Sequence, residues 1–285
     1  MISRPDDRHR PVEHYENFPV ASWLCPPRLR RPVAAVYWFA RTADDIADEG
    51  NATGGNRLAD LLSFRNDLVA CLAGHRASGR WEAVFAALGT ARVEFALPEQ
   101  PLFDLIDAFR QDVEKTRDRT GYRDRHELLD YCRRSANPVG RLMLHLYGVT
   151  DLRALAQSDA ICSALQLANF WQDLSVDVPR GRYYLPTADA LRHGIDPGAP
   201  PTWAAHARAP ALVRELCDWT RGLMLAGAPL VHAVPGRAGW ELRMVVQGGL
   251  RILRRIEALD HRSMQRRPRL NAADLPPMLW HALWM

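Results

Sequence analysis

The stretch "ALQLANFWQDLSVDVPRGRYYLP", residues 164 to 186, decides how this chain is read. Its first half is dominated by Ala, Leu and Phe, with no alternating β-branched run, so it reads as a helix. On that helix Gln166, Asn169, Asp173 and Asp177 recur at i, i+3, i+7 and i+11 and span about 80° of the wheel. All four are oxygen donors, and two are carboxylates one turn apart. Pro179 stops the helix, because it lacks an N–H and constrains its predecessor. Arg180, Arg182 and Tyr184 follow at once. Amides and acids set into an apolar helix are costly as filling, since buried carboxylates need partners. Two readings are open: a polar network between helices, or a site for a hard cation.

A second stretch, "YWFARTADDIADEG" at 37–50, repeats the pattern. At about 100° per residue, Tyr37, Arg41, Asp44 and Asp48 fall within about 60° of one another. Asp44 and Asp48 lie one turn apart, with about 6 Å between their Cβ atoms. Asp45 sits toward the edge of the stripe, and Glu49 points elsewhere. Val33, Val36, Phe39 and Ala40 cover much of the remaining surface, so the stripe faces a cavity or forms a solvated helix tip. Alone it favours the solvated tip.

The rest of the chain sets the frame. With 285 residues, 47% of them hydrophobic, it can bury one large core. Alternating strand signals are scarce, and Gly/Pro punctuation falls at 50–56, 97–101, 178–186, 196–201 and 234–239. Between these marks the spacing predicts helices near 28–48, 56–73, 79–95, 101–117, 124–147, 152–177, 203–230 and 238–259, with a shorter one near 272–284. No linker separates domains, so the expectation is one all-α domain over 1–285, with its core at about 14–259 and a tail at 260–285. The net charge of +4 suits anionic partners but is too small to argue for nucleic acid. The five cysteines are odd in number and contain no CxxC, which argues against disulfides or a zinc site. No secretory h-region or membrane span is visible, so the expected location is cytoplasmic. In the tail, "MLWHALWM" (278–285) reads first as a terminal helix packed on the core, and second as a weak contact with a membrane surface.

Two helices, each presenting an i, i+4 carboxylate pair with Arg nearby, shift the balance toward chemistry. Mg²⁺ takes oxygen ligands and is typically shared between a few carboxylates and substrate phosphates. Facing pairs could hold Mg²⁺ against a diphosphate, with Arg41 and Arg182 as forked anion donors. The metal would neutralise the departing diphosphate. The carbocation left behind needs a dry, apolar cavity.

In these residues the chain resembles the squalene/phytoene synthase family, over about His14 to Ile256. Its strongest marks are "YWFARTADDIADE" (37–49) and "QLANFWQDLSVDVPRGRYYLP" (166–186), supported by "HYENF" (14–18) and "ELLDYCRRSANPVGRL" (127–142). The resemblance implies the all-helical isoprenoid synthase fold around a central cavity. It implies Asp44, Asp48, Asn169, Asp173 and Asp177 as metal-binding residues, with Gln166 beside them. Arg41, Arg182 and Tyr184 would contact diphosphate, His14, Asn17 and Phe18 would close over substrate, and Tyr37 and Tyr131 would line the cavity.

There are departures from the family pattern. Gln172 and Val176 replace an Arg and a Glu of the second motif, Asn137 and Pro138 stand where relatives carry Gly-Thr, and Gly249 replaces a tyrosine. Pro138 should kink its helix, and Asn137 offers an amide to a water or a diphosphate oxygen. For each change simple repacking is an equal reading. These departures count against a plain phytoene synthase, and the segments "HYENFPVAS" (14–22), "FARTADDIADEG" (39–50) and "SANPVGRL" (135–142) are most similar to the hydroxysqualene-forming branch, which implies presqualene diphosphate as substrate, Mg²⁺ as cofactor, no NADPH, and functional coupling to upstream and downstream enzymes of squalene formation. The runner-up is head-to-head coupling of two prenyl diphosphates. A non-catalytic assembly protein of the same fold comes third, because it should have lost the aspartates that this chain keeps.

Overall fold

Eleven α-helices carry the fold in a computed structural model that describes residues 25–285. They are α1 (Pro27–Asp48), α2 (Gly54–Leu72), α3 (Glu82–Phe95), α4 (Gln100–Asp118), α5 (Arg125–Ser135), α6 (Asn137–Leu146), α7 (Leu152–Asp177), α8 (Thr187–Arg192), α9 (Ala209–Gly227), α10 (Arg237–Glu257) and α11 (Leu275–Leu283). Among the described residues there is no strand, only an isolated bridge between Tyr122 and Pro186. The all-α architecture expected from the sequence is what the chain adopts.

Helix starts follow local chemistry. The side chains of Thr53, Asp124 and Asp151 accept hydrogen bonds from Asn56 N, Glu127 N and Ala154 N, satisfying first-turn donors that have no helical partner. α1 closes at Asp48, and Gly50 then takes a positive φ of 75° that turns the chain toward α2.

Two long expectations need correction, and one short helix is added. The single helix expected over 124–147 is two, α5 and α6, separated at Ala136. Pro138 supplies no N–H to the carbonyl of Arg134 and its ring excludes a continuous ladder, so the expected kink is a full break. The helix expected over 203–230 is trimmed to α9. Pro210 sits in its first turn, a 3-10 turn (Pro200–Ala205) precedes it, and another (Ala228–His232) carrying Pro229 follows. The six-residue α8 was not anticipated. It is held by the buried Asp189, which accepts from Arg125 at 2.7 Å and also pairs with Arg192.

The helices share three main apolar clusters. Leu29, Val36 and Phe39 of α1 pack with Phe64 of α2, Phe85 of α3, Leu102 and Leu105 of α4 and Leu142 of α6. Leu128 and Cys132 of α5 pack with Trp171 of α7, Leu216 of α9 and Leu253 of α10. Leu144, Ile161, Met224 and Val246 form the third. Within the second, the Trp171 indole N–H donates to Thr220 Oγ1 at 2.8 Å, giving a buried polar atom its partner. α7 and α9 cross closely at Gly227. A Cβ there would lie 2.6 Å from the Gln157 carbonyl oxygen and from Ile161 Cγ1. Gly227→Ala should therefore destabilise the fold by about 2 kcal/mol, as forced overpacking does. An unchanged urea midpoint would contradict this crossing.

The tail folds back. α11 packs on α10, with Met278 Cε 3.7 Å from where a Gly248 side chain would begin. Asp274 anchors it. Its buried carboxylate accepts from Arg251 Nε at 2.5 Å and Arg255 Nε at 2.9 Å, and from the Asn271 N–H at 2.8 Å. Burial would raise this carboxyl, but the hydrogen bonds from Arg255, Asn271 and Arg251 win and hold it at about 2. A folded pKa below the unfolded one means the contribution is complete above about pH 4 and is lost as pH falls toward 2. Asp274→Asn should therefore flatten the acid limb of a stability–pH curve between pH 4 and 2, while leaving its shape above pH 5 intact.

Candidate active site

The C-terminal ends of α1 and α7 are joined by one side chain. Arg182, just past the turn that ends α7, donates from Nη2 to Asp48 Oδ1 at 2.5 Å and lies 3.9 Å from Asp177 Oδ1. Burial works against its charge, but Asp48 foremost, with Tyr184, Asp112 and Asp177, more than offsets this, and the guanidinium stays protonated. The turn exists because Pro179 ends the helix and Gly181 takes a φ of 81°.

Arg41 serves α1 alone. It reaches Asp44 at 3.2 Å, Asp45 at 2.6 Å and Glu49 at 2.5 Å. Glu49, expected to point away, instead folds back onto this guanidinium. Asp173 is taken by Arg267, whose Nε and Nη2 grip both carboxylate oxygens. Sequence reading missed Arg267, since "RRPRL" gives no hint which arginine reaches back across the fold.

It also missed Asp112, a buried acid on α4 that accepts the Tyr184 hydroxyl at 2.8 Å. Its signal was present. Leu105, Ile106, Ala108 and Val113 mark the buried face of α4, and Asp112 sits among them.

Seven carboxylates (Asp44, Asp45, Asp48, Glu49, Asp112, Asp173 and Asp177) thus meet three directly paired arginines, Arg41, Arg182 and Arg267. The imbalance shows in their ionisation. Burial first, then the Asp48 charge, pushes Asp44 up to about 7. Burial raises Asp177 to about 7 against the lowering pull of Arg182, and raises Asp112 to about 6 with Asp48 adding to it. Among the described residues no three His, Cys, Asp or Glu side chains converge as a ready-made metal cage. The donors are nevertheless all hard oxygens, and the cluster is short of positive charge. That chemistry fits a divalent cation arriving with an anionic ligand.

Beside Asp44 lies a cavity of about 220 Å³, bounded by Tyr37 and Arg41 on the same side and by Phe109, Leu165 and Gln166 on others, while Asp48, Asp112 and Arg182 line a separate cavity of about 320 Å³. Ser135, Ala136 and Val139 bring the α5–α6 break into the wall of the cavity beside Asp44. Another, almost wholly apolar cavity of about 140 Å³ adjoins that one. The two share Val139, Cys162 and Leu165 as lining residues. Tyr37 and Gln166 line the cavity from the stripes read in the sequence.

Other expected site residues sit elsewhere. Tyr131 does not line either cavity. It is buried in an aromatic stack with Tyr122, Phe170 and Tyr184, because α5 turns it toward α7. Tyr184 lies face to face on Phe170 at 3.8 Å, with its hydroxyl spent on Asp112. Asn137 is buried and accepts from Ser163 Oγ at 2.9 Å, fastening α6 to α7. Asn169 lines a separate cleft of about 30 Å³ against α10, beside Gln172 and Gly249. Gln172 donates to the Pro268 carbonyl at 2.9 Å, and a Cβ at Gly249 would meet Met224 Cε at 2.6 Å. Both departures thus serve packing of the tail and of α10. His14, Asn17 and Phe18 lie outside the described residues. All five cysteines are free.

An all-helical bundle in which Arg182 joins two acid-rich helix ends, with a mainly apolar cavity beside Asp44, defines a class. The squalene/phytoene synthase family model matches residues 12–274, and the chain belongs to that family and is an enzyme of it. It is 36% identical to a hydroxysqualene synthase of Rhodopseudomonas palustris, over 91% of this chain and 86% of the relative. It is 29% identical to a presqualene diphosphate synthase of Zymomonas mobilis, over 77% and 72% respectively. A crystal structure described as squalene synthase HpnC from Alicyclobacillus acidocaldarius superposes with a TM-score of 0.77 at 35% identity, covering 87% of this chain and 90% of that one.

Proposed function

We propose that the enzyme converts presqualene diphosphate and water to hydroxysqualene, releasing diphosphate, with Mg²⁺ and without a reductant. The observation that carries this reading is the mainly apolar cavity beside Asp44, next to a cluster where acids outnumber their arginine partners. Such a site can receive an anionic head and a hydrocarbon tail in one ligand. The similarity to hydroxysqualene synthases supports it.

In this reading Arg41 and Arg182 donate to the diphosphate oxygens, each leaving part of its present carboxylate pairing to do so. Asp44, Asp48, Asp173 and Asp177 would hold Mg²⁺, which would neutralise the leaving group, whereas Asn169 faces the separate cleft against α10. The C–O bond to diphosphate breaks with its electron pair. Tyr37, Phe109, Val139 and Leu165 keep bulk water from the resulting carbocation. The cyclopropylcarbinyl cation rearranges, opening its three-membered ring as the carbon–carbon bonds shift, and one water then adds its oxygen to the rearranged cation while its proton leaves with the diphosphate. Upstream and downstream enzymes of squalene formation would be coupled to this enzyme through the intermediates they share.

The similarity to a presqualene diphosphate synthase favours a second reading, coupling of two farnesyl diphosphates, and one assay separates them. Purified protein with Mg²⁺ and no NADPH is given each diphosphate separately, and products are identified by mass spectrometry. Hydroxysqualene from presqualene diphosphate, with farnesyl diphosphate untouched, is the expected result. Conversion of farnesyl to presqualene diphosphate would overturn it in favour of coupling.

A further inference from the structure

Arg41, Arg182 and Arg267 spend their guanidinium groups on carboxylates. Arg57, in the first turn of α2, spends its own on backbone carbonyls. Its Nη1 donates to Ile46 at 3.0 Å. Its Nη2 donates to Gly50 at 2.8 Å and, more weakly, to Asp48 at 3.5 Å, and its Nε donates to Ala52 at 3.2 Å. One planar fork thus gathers four acceptors from the end of α1 and the turn that follows it.

That end of α1 needs such a group. The last carbonyls of a helix have no partner within it, and their partial negative charge is unfavourable beside acids. α1 ends with Asp44, Asp45 and Asp48, is capped by Glu49, and has no basic residue in its last turn. Residues 49–53 are all exposed, so the turn into α2 buries no side chain that would hold it. For α2 itself the arginine is badly placed, since a cation in the first turn opposes that helix's own dipole. The arginine serves α1. The end it fastens carries Asp48, whose carboxylate meets Arg182 at 2.5 Å across the gap to α7. Arg57 lines the cavity of about 320 Å³ together with Asp48, Asp112 and Arg182. The packing of α1 on α2 does not depend on the guanidinium: Leu61 clusters with Ala47 and Val113, and Ile46 and Leu58 pack against them.

We propose that Arg57 is a positioning residue for the site. By clamping carbonyls from Ile46 to Ala52 it holds the last turn of α1, and so keeps the Asp48 carboxylate aimed at Arg182 and the acids of α7. The inference rests on the carboxylate cluster being where diphosphate is released, and not on which prenyl diphosphate the enzyme consumes.

Diphosphate release by the full chain tests it, with Arg57→Gln, Arg57→Lys, Asp48→Asn and the double variant Arg57→Gln/Asp48→Asn compared on the prenyl diphosphate that wild type consumes. Arg57→Gln should lower kcat by about 30-fold with KM within about 3-fold, the scale of removing a group that orients a ligand. Its circular dichroism should match wild type, and its melting temperature should fall by no more than about 4 °C. In the metal-free protein, amide hydrogen exchange over residues 44–53 should quicken by about 10-fold or more in Arg57→Gln, with α7 unchanged. In the Asp48→Asn background the same substitution should cost less than about 3-fold, because a residue that acts through Asp48 has nothing left to aim. A purely structural role would lower both backgrounds equally. Arg57→Lys keeps the charge but not the fork, so it should stay within about 3-fold of Arg57→Gln. Unchanged exchange, an active Arg57→Gln beside an impaired Asp48→Asn, equal losses in both backgrounds, or full recovery by lysine would each overturn the proposal. Undiminished turnover by Asp48→Asn would overturn it together with the reading of the site.

Discussion

Replacing Asp44 with Asn is expected to lower diphosphate release by about 1000-fold, on the order of 4 kcal/mol of transition-state stabilisation, and to leave the far-ultraviolet spectrum of the folded protein unchanged. The side chain is isosteric and sits at the cavity mouth, not in the packed core, so the fold has little stake in it. What disappears is a charge. Asp44 is held up to about 7 chiefly by burial and then by Asp48, which marks a carboxylate whose negative form lacks sufficient local compensation. In the proposed reaction that deficit is what recruits the cation. Removing one acid also frees Arg41, which in the resting protein is shared among Asp44, Asp45 and Glu49. A variant with tight diphosphate binding and no turnover would locate the loss in the chemical step. Turnover within 3-fold of wild type would remove Asp44 from the mechanism, and Asp173→Asn serves as the parallel test on α7.

Arg182→Gln is expected to cost about 100-fold in kcat/KM and to move the acid limb of its pH profile upward. The direction follows from the pairing. Arg182 now lowers the pKa of Asp177, which burial has already raised to about 7, and it lowers Asp112, held at about 6. Without the guanidinium both rise, so a higher pH is needed to reach the ionised state, and activity is lost first on the acid side. Arg182→Lys keeps a charge but not the two-pronged donor, so it should recover the pH profile more than the rate. A profile that drops uniformly, with no displacement of the acid limb, would mean that Arg182 acts on substrate alone and not on the carboxylates.

Much of this site was legible because its chemistry is periodic. Tyr37, Arg41 and Asp44 share a helix face by spacing alone, and the structure puts all three on one cavity wall. What the sequence hid was long-range. Nothing in a one-dimensional reading connects Arg267 to Asp173, 94 positions earlier, or sets Tyr184 over Phe170 and under Asp112. Tyr131 was misplaced for the same reason. A tyrosine near a conspicuous motif can face the cavity or the core, and only the rotation of α5 decides. The break at Ala136 was half legible. Asn137-Pro138 announced a disturbance, but whether a proline bends a helix or ends it depends on what the neighbouring turns can pack against. Here α5 and α6 each find a different neighbour. The short α8 carried no periodic signal at all. It exists through Asp189 and its arginines, a tertiary arrangement.

That break has a consequence for how the molecule comes apart. α5 commits Leu128 and Cys132 to the cluster built on Trp171, whereas α6 commits Leu142 to the one built on Phe39 and Phe64. A continuous helix would splice the two clusters into a single melting unit, since fraying one end would strip hydrogen bonds from the other. Interrupting the ladder at Ala136 removes that shared hydrogen bonding, although α6 stays fastened to α7 through Asn137 and Ser163. The gap lies in the cavity wall itself, at Ser135, Ala136 and Val139. The break therefore stands in the wall along which the hydrocarbon of the proposed substrate would be threaded.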